Sequence, residues 1–200
     1  QGDLLLLSAF ENRITENKNE CPTNFKYLKM KWYTEIEITP LKERINYRDE
    51  IFCLGSCFAG EIGAIMQNLR FNITVNPFGV LFNPGSVALA IRRLMSRSHF
   101  SEADLLKSGD IYKSFSHGSE FASLSKEEFL SKNNAILERA SDNFKNSNWI
   151  ILTLGTSWVY KLKKSGEIVS NCLKLPDSLF SRVLMEPDEI FADVDSCIKK

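Results

Sequence analysis

Apolar and polar residues along this chain follow two different periods, which predict strands that alternate with helices. Continuous apolar runs at 51–54 and 149–154 predict strands that are buried on both faces. An alternating pattern at 34–39 predicts a half-exposed strand, and 71–75 is strand-like up to an Asn-Pro pair that ends it. The chain therefore offers several strands for one sheet.

Helical periodicity fills most of the gaps between these runs. It predicts helices at 60–70, from Pro84 after the capping residue Asn83, from Ser101, from 126 to about 145 after the capping residue Ser125, and from Pro187. The apolar residues that face the core in the first two long helices are predicted to be Ile62, Ile65, Met66, Leu69, Val87, Ile91, Leu94 and Met95. Two short runs, 158–162 and 167–170, predict a β-hairpin.

Strands separated by helices predict an α/β fold with an open, mostly parallel sheet that is covered on both faces. In such sheets, ligands bind outside the carboxyl ends of the strands. Three predicted strand ends carry polar or glycine-rich turns, at 55–57, 76–79 and 155–157. We expect these turns to lie around one site.

The turn after the first buried strand carries the most chemistry, because it reads Gly55-Ser56-Cys57-Phe58-Ala59 and leads into a helix. A strand, a tight turn and a helix present the nucleophile in many α/β enzymes. The first turn of a helix has unpaired N–H groups and a partial positive charge, which favour a thiolate or a developing oxyanion. The alternative is that Ser56 and Cys57 are small capping or packing residues.

Composition limits the function classes. The chain has 200 residues, of which 44% are apolar, so one domain with one core is expected. The 25 basic residues balance the 25 acidic residues without a basic cluster, which argues against nucleic-acid binding. Five cysteines without a CxxC pair argue against a disulfide framework or a zinc ribbon and indicate a reducing compartment.

The only early apolar run, at 4–10, is too short to span a bilayer. It also lacks the basic leader and the small-residue cleavage site of a signal peptide. A cytoplasmic location without a membrane partner is therefore expected.

Five short segments follow one another in a recognisable order. They are Trp32–Ile36, Gly55–Ala59, Asn76–Gly79 with Asn83–Pro84, Thr153–Thr156 with Trp158–Tyr160, and Asn171–Cys172. Together they resemble the GSCFA family, which is named for the turn motif and is grouped with the SGNH (GDSL-like) hydrolases. The resemblance implies a three-layer, flavodoxin-like fold with a mostly parallel sheet. It also implies an ester hydrolase or acyltransferase that needs no cofactor or metal and acts on a small-molecule or carbohydrate acyl ester.

The resemblance covers residues 30–200, so residues 1–29 are expected to be an extension outside the domain. The chain stops at Lys200 inside a predicted helix. A domain that is incomplete at its C-terminus is therefore expected, and the catalytic histidine of the hydrolase group would lie in the missing part.

The resemblance gives two competing nucleophiles. Alignment by register with the Gly-Asp-Ser turn of the group places Cys57 on the nucleophile, whereas alignment by residue type places Ser56 there. An ionised thiol is the better nucleophile, while a serine needs a positioned base.

The remaining turns imply the oxyanion and substrate contacts, at Gly55, Gly79, Gly155 and Thr156. The group has Gly-x-Asn-Asp where this chain has Gly155-Thr156-Ser157-Trp158, so an amide donor would have to come from Asn76 or Asn83. The alternative is that both asparagines only form turns before proline.

The general base is the least defined part of the site. Only two histidines exist, His99 and His117. His117 lies in a polar loop that matches a histidine-containing stretch of the family, so it is the candidate catalytic histidine, with an exposed loop residue as the alternative. Where family members often have Asn-Cys-His, this chain has Leu173 in place of the histidine.

A second class of function remains open: a non-catalytic module on the same fold that binds a carbohydrate or phosphate at the helix N-terminus. Gly55 and Gly60 have the glycine spacing of a P-loop, but Glu61 and Ile62 replace its Lys-Ser/Thr pair. Nucleotide hydrolysis is therefore not expected.

Overall fold

The computed structural model describes residues 34, 36, 39, 40 and 42–198. Residues from Glu43 onward belong to one compact unit. In chain order, its elements are β1 (Glu50–Gly55), α1 (Cys57–Asn68), β2 (Asn72–Val75), α2 (Pro84–Ser96), β3 (Leu106–Ser108), β4 (Ile111–Lys113), α3 (Lys126–Asn146), β5 (Trp149–Thr153), β6 (Trp158–Leu162), β7 (Ile168–Val169), β8 (Phe180–Leu184) and α4 (Pro187–Ile198). Within this part of the chain, no helix is both long enough and apolar enough to cross a membrane.

The central sheet has three strands in the order β2-β1-β5, and both neighbours of β1 run parallel to it. In register, Phe52 lies between Thr74 and Ile150. The α/β class with a mostly parallel sheet is therefore confirmed. The strand that was predicted at 34–39 lies largely outside the described residues.

Helices cover both faces of the central sheet. Successive side chains of a strand point to opposite sides, so neighbouring residues of β1 contact different helices. The thiol of Cys53 lies 3.7 Å from the carbonyl oxygen of Ala59 in α1. The ring of Phe52, the preceding residue, packs edge-on against Phe144 of α3, with ring centroids 5.0 Å apart. The main core therefore forms on the α2 and α3 side, where Phe52 and Leu54 meet the buried faces of both helices.

The predicted core stripe of α1 is wrong for Ile65 and Leu69, whereas Ile62 and Met66 are partly buried. Ile65 and Leu69 are each 54% exposed, and the buried residues of the helix are Ala59 and Gly63. A Cβ atom at Gly63 would lie 2.4 Å from Cγ2 of Val75. Because α1 lies this close to β2, small residues face the sheet, and Phe58 and Ile65 are exposed.

The stripe of α2 is confirmed for Val87, Ile91 and Leu94, which are buried. Met95 was predicted to face inward, but it is 47% exposed. It follows Leu94 directly and therefore lies on a neighbouring face of the helix.

Two antiparallel sheets accompany the central one. The predicted hairpin is present as β6 and β7, and β8 pairs with the other edge of β6. The short hairpin of β3 and β4 was not predicted, because strands of three residues carry almost no periodic signal. The short helix that was predicted from Ser101 is a 3-10 turn at Glu102–Asp104.

Candidate active site

The turn after β1 is built on a glycine that no other residue could replace. Gly55 has a φ of +138°, and a Cβ atom there would lie 2.0 Å from the carbonyl oxygen of Thr153. The backbone of β1 therefore approaches the end of β5 closely before it turns into α1. Ser56 is the N-cap residue of α1 and Cys57 is its first residue.

Ser56 is held inward by β5. Its side chain and backbone are only 6% exposed. Its N–H group lies 3.0 Å from both the carbonyl oxygen and the hydroxyl oxygen of Thr153. The two hydroxyl oxygens lie 2.9 Å apart, and the Ser56 side chain makes no capping hydrogen bond to α1. Ser56 thus joins the ends of two parallel strands.

Cys57 has the opposite environment. Among the described cysteines, Cys57 is exposed, Cys53 and Cys197 are buried and Cys172 is partly buried. Burial raises the pKa of the Cys53 thiol, and burial followed by the charge of Asp177 raises the pKa of the Cys172 thiol. Cys57 is therefore the most accessible of the described thiols to a substrate in solvent.

The N-terminus of α1 has free donors beside Cys57. The N–H groups of the first helical turn have no acceptor within a helix. Ser56 does not cap them, and the first turn contains no acidic residue. An oxyanion that forms on a substrate bound at Cys57 would find unpaired N–H groups and the positive end of the helix dipole there.

Asn76 holds the turn in place. Its side-chain oxygen accepts a hydrogen bond from the N–H group of Gly55 at 2.8 Å, and its amide nitrogen lies 3.5 Å from the carbonyl oxygen of Ser56. The backbone of Asn76 has a φ of +41°, which asparagine tolerates better than most residues. The structure therefore brings Asn76 to the predicted turn, where it contacts the protein backbone.

The other predicted donors also lie at neighbouring strand ends, but their N–H groups already have acceptors. Gly79 donates to the carbonyl oxygen of Asn76 at 2.9 Å. Gly155 and Thr156 both donate to the carbonyl oxygen of Phe82, at 2.8 and 3.2 Å. In this conformation, none of these three N–H groups is free for an oxyanion.

Asn83 has a structural role as well. It is 4% exposed and is the N-cap residue of α2, where its side-chain oxygen accepts a hydrogen bond from the N–H group of Ser86 at 2.8 Å. Its amide nitrogen donates to the carbonyl oxygen of Val169 at 3.2 Å. Asn83 thus connects α2 to β7, and its amide is not free for a substrate.

His117 is sealed in the core. It is 0% exposed, and neither ring nitrogen has a hydrogen-bond partner. The rings that surround it belong to Phe78, Phe100, Phe121 and Phe129. Burial, assisted by the charge of Arg93 and opposed by that of Asp104, lowers the pKa of His117 to about 3. In this conformation the imidazole has no contact with solvent or with the Gly55–Ala59 turn, and the alternative of an exposed loop residue is wrong.

His99 is exposed and lies beside Glu138 of α3, with Nε2 2.5 Å from a carboxylate oxygen. In the part of the chain that the structure describes, neither histidine contacts Ser56 or Cys57. The same residues contain no cluster of histidine, cysteine and carboxylate side chains that could hold a metal ion.

Thr153 is the member of this site that sequence reasoning missed. Its hydroxyl and carbonyl groups both bind Ser56. The available signal was its position, because Thr153 is the last residue of a buried strand and comes two residues before Gly155. Polar residues at strand ends face the site edge of a parallel sheet.

Comparison with known proteins gives one match. The model of the GSCFA family matches residues 50–200. No curated protein and no solved structure matches the chain. The matched region begins with β1 and includes every candidate site residue described above.

Proposed function

This chain belongs to the GSCFA family, and we propose that it is an ester hydrolase or acyltransferase whose nucleophile lies in the Gly55-Ser56-Cys57 turn. The proposal includes a small-molecule or carbohydrate acyl ester as substrate. It also includes a flavodoxin-like three-layer layout, which the parallel order β2-β1-β5 and the helices on both faces of that sheet support.

The nucleophile of the proposal is Cys57. The observation that carries this choice is the contrast within one turn: Cys57 is exposed at the N-terminus of α1, whereas Ser56 is 6% exposed and hydrogen-bonded to Thr153. A nucleophile must reach the carbonyl carbon of its substrate, and only the thiol meets that requirement in this conformation.

In the first half-reaction, the Cys57 thiolate attacks the acyl carbonyl carbon and a carbon–sulfur bond forms. The carbonyl oxygen becomes an oxyanion beside the N–H groups of Cys57 and Phe58, where each preorganised donor contributes a few kcal/mol, on the order of 3. The bond to the alkoxy oxygen then breaks, and the leaving alcohol takes up the proton that the thiol lost. In the second half-reaction, water or an acceptor alcohol attacks the thioester, which releases an acid or a new ester and returns the proton to the thiol. His117 has no part in these steps.

The proposal is tested by release of p-nitrophenol from short-chain acyl esters by the purified chain. Cys57→Ala is expected to abolish turnover, whereas Ser56→Ala is expected to keep it. Cys172→Ala is the matched control, because it removes a partly buried thiol outside the turn. Absence of turnover across a broad panel of acyl esters would count against an enzyme of this class.

A second function, non-catalytic anion binding, has one observation in its favour. The N-terminus of α1 is uncapped and has no carboxylate in its first turn, which is the arrangement that binds phosphate in other proteins. Thermal-shift measurements with inorganic phosphate, sugar phosphates and neutral sugars separate the two functions. Stabilisation by phosphate without any acyl turnover would favour the binding module.

A further inference from the structure

One aromatic ring lies at the edge of the proposed catalytic turn. Phe82 comes two residues before α2 and is 45% exposed. A Cβ atom at Gly155 would lie 3.0 Å from Cδ1 of Phe82 and 3.3 Å from Cβ of Ser56. The Phe82 ring and the Ser56 side chain therefore flank the same backbone position. Cys57 follows Ser56 directly, and consecutive Cα atoms are about 3.8 Å apart, so the ring lies beside the turn that carries the thiol.

Hydrogen bonds fix the backbone around Phe82 to the ends of two strands. The N–H group of Leu81 donates to the carbonyl oxygen of Gly55, after β1, at 2.8 Å. The carbonyl oxygen of Phe82 accepts hydrogen bonds from Gly155 and Thr156, after β5, at 2.8 and 3.2 Å. These are backbone contacts, so the ring is held at this edge of the sheet and a change of the side chain at position 82 leaves the contacts in place.

The fold does not bury this ring. Both chain neighbours of Phe82 are buried, since Leu81 is 0% exposed and Asn83 is 4% exposed. A single exposed apolar residue is common on protein surfaces and has no functional meaning by itself. Phe82 differs because its backbone is fixed and because its ring borders a candidate nucleophile. An aromatic ring that is already held in place offers a large apolar contact with little loss of conformational freedom on binding.

The chain segments that form this edge carry no charge. Residues 51–60, 76–91 and 149–160 contain no aspartate, glutamate, lysine, arginine or histidine. The carboxylate of Glu120 lies against one of the turns, because a Cβ atom at Gly79 would be 2.3 Å from its Oε1 atom. An anionic group bound here would therefore meet a carboxylate and no cation from these three segments. An uncharged, apolar group fits this edge better.

We propose that the Phe82 ring binds the acyl group of the substrate, and that this group is uncharged, apolar and larger than acetyl. The inference rests on the proposed acyl transfer at the Gly55-Ser56-Cys57 turn. In that reaction the acyl group stays at the turn through both half-reactions, whereas the alcohol leaves after the first. Contact between the acyl chain and the ring removes apolar surface from water and favours substrates with a longer chain.

Alkylation of Cys57 measures this contact without ester turnover. Chloroacetamide and N-hexyl chloroacetamide react through the same carbon: the sulfur displaces chloride, and the thiol proton passes to water. Mass spectrometry of the Cys57 peptide from the full chain gives both rate constants, which are divided by those for glutathione. We expect the hexyl compound to react about tenfold faster with the unchanged chain. Phe82→Ala is expected to lose most of this preference.

Two further variants serve as controls. Phe82→Leu keeps an apolar side chain at the same position and is expected to retain part of the preference. Phe191→Ala removes a 70% exposed ring from α4 and is expected to retain all of it. Urea unfolding of each variant checks that the fold is preserved.

Ester kinetics test the same contact in turnover. The acetate and hexanoate esters of p-nitrophenol share a leaving group, so their ratio of kcat/KM reports the acyl group alone. Phe82→Ala is expected to lower the ratio of hexanoate to acetate about tenfold.

An alkylation preference that is equal in Phe82→Ala and the unchanged chain would overturn the inference. A preference that is lost in Phe58→Ala instead would also overturn it, because the acyl chain would then lie along α1. Absence of ester turnover, together with an alkylation preference that depends on Phe82, would refute acyl transfer and still confirm the ring as an apolar contact of the site.

Discussion

The hydroxyl oxygens of Ser56 and Thr153 lie 2.9 Å apart, although 97 positions separate the two residues in the chain. This contact joins the turn after β1 to the end of β5 and turns the serine of the motif toward the protein. The neighbouring Cys57 remains exposed at the start of α1. The two polar residues of the motif thus have different roles in this structure, and that difference can be tested.

Removal of the Ser56 hydroxyl is expected to reduce stability and to preserve acyl turnover. Ser56→Ala loses one partly buried hydrogen bond, so the free energy of unfolding is expected to fall by about 1 kcal/mol. Thr153→Val is expected to cost at least as much, because its hydroxyl oxygen also accepts from the N–H group of Ser56. The double variant is expected to cost less than the sum, because both changes remove the contact between the two hydroxyl groups. Urea unfolding and ester turnover measure both effects. A Ser56→Ala variant that is fully stable and inactive would assign the nucleophile to Ser56.

Asn76 is expected to stabilise the turn in two ways, through its side-chain hydrogen bonds and through its tolerance of a positive φ, and two variants separate these contributions. Asn76→Gly keeps the positive φ accessible and loses the side-chain hydrogen bonds to Gly55 and Ser56. Asn76→Ala loses the same hydrogen bonds and also strains the backbone, which costs roughly 1 kcal/mol more. Thermal unfolding is expected to rank the unchanged chain above Asn76→Gly and Asn76→Ala last. Equal stability of the two variants would contradict the left-handed conformation.

Gly63 is expected to be irreplaceable because of its distance to β2. A Cβ atom there would lie 2.4 Å from Cγ2 and 2.7 Å from Cγ1 of Val75. Gly63→Ala is therefore expected to lower the free energy of unfolding by about 1–2 kcal/mol, despite the better helix propensity of alanine. Gly60→Ala, in the same helix, is the matched control, because its nearest contact would be an ordinary 3.8 Å.

Gly60→Ala is expected to be neutral or to stabilise the chain by up to about 1 kcal/mol. In a Val75→Ala background, Gly63→Ala is expected to lose most of its penalty, since the obstructing methyl groups are gone and only the 3.1 Å contact with the Cβ atom of residue 75 remains. An undiminished penalty in that background would mean that α1 and β2 are not packed as described.

His117 makes the fold sensitive to acid. Burial lowers its pKa from 6.5 to about 3, so between these values the unfolded chain binds a proton that the folded chain does not. The contribution of the neutral imidazole is complete above pH 6.5 and is lost progressively as the pH falls toward 3. His117→Leu is expected to remove this component, which amounts to about 1.4 kcal/mol per pH unit within the window.

Urea unfolding at several pH values between 3 and 6.5 gives the free energy of unfolding as a function of pH. The slopes of this dependence are compared for the unchanged chain and His117→Leu. Carboxylates titrate in both proteins, so their contribution cancels in the difference. Phe121→Leu is the control, because it removes a ring that packs on His117 and leaves the imidazole in place. The free energy of unfolding of Phe121→Leu is expected to be lower at every pH, but its slope against pH is expected to equal that of the unchanged chain. Identical slopes for His117→Leu and the unchanged chain would contradict a buried neutral imidazole.

Some of this architecture could be predicted from the sequence, and the reasons are physical. The strands β1 and β5 carry continuous apolar runs, since both faces of the central sheet are covered, and such runs are distinctive. The face of α1 was predicted wrongly because periodicity assigns the large apolar residues to the core, whereas close packing against Val75 requires Gly63 there. Periodicity describes one element at a time and contains no distance between two elements.

The same limit applies to the site. The turns around Gly55, Asn76 and Gly155 could be placed at one edge of the sheet, because parallel strands end together. Which N–H groups are free could not be predicted, since Gly155 donates to a carbonyl oxygen more than 70 positions away, that of Phe82. The burial of His117 was equally hidden, because its local sequence is polar and three of the four rings around it, those of Phe78, Phe100 and Phe129, lie 12 or more positions away in the chain.

Trapping of the acyl intermediate distinguishes the thiol of Cys57 from the hydroxyl of Ser56 as the nucleophile. The full chain is mixed with p-nitrophenyl acetate, quenched in acid, digested and analysed by fragmentation mass spectrometry. We expect one acetyl group on the Cys57 sulfur, which neutral hydroxylamine removes and which is absent in Cys57→Ala. An acetyl group on the Ser56 oxygen, or turnover that persists in Cys57→Ala, would contradict it.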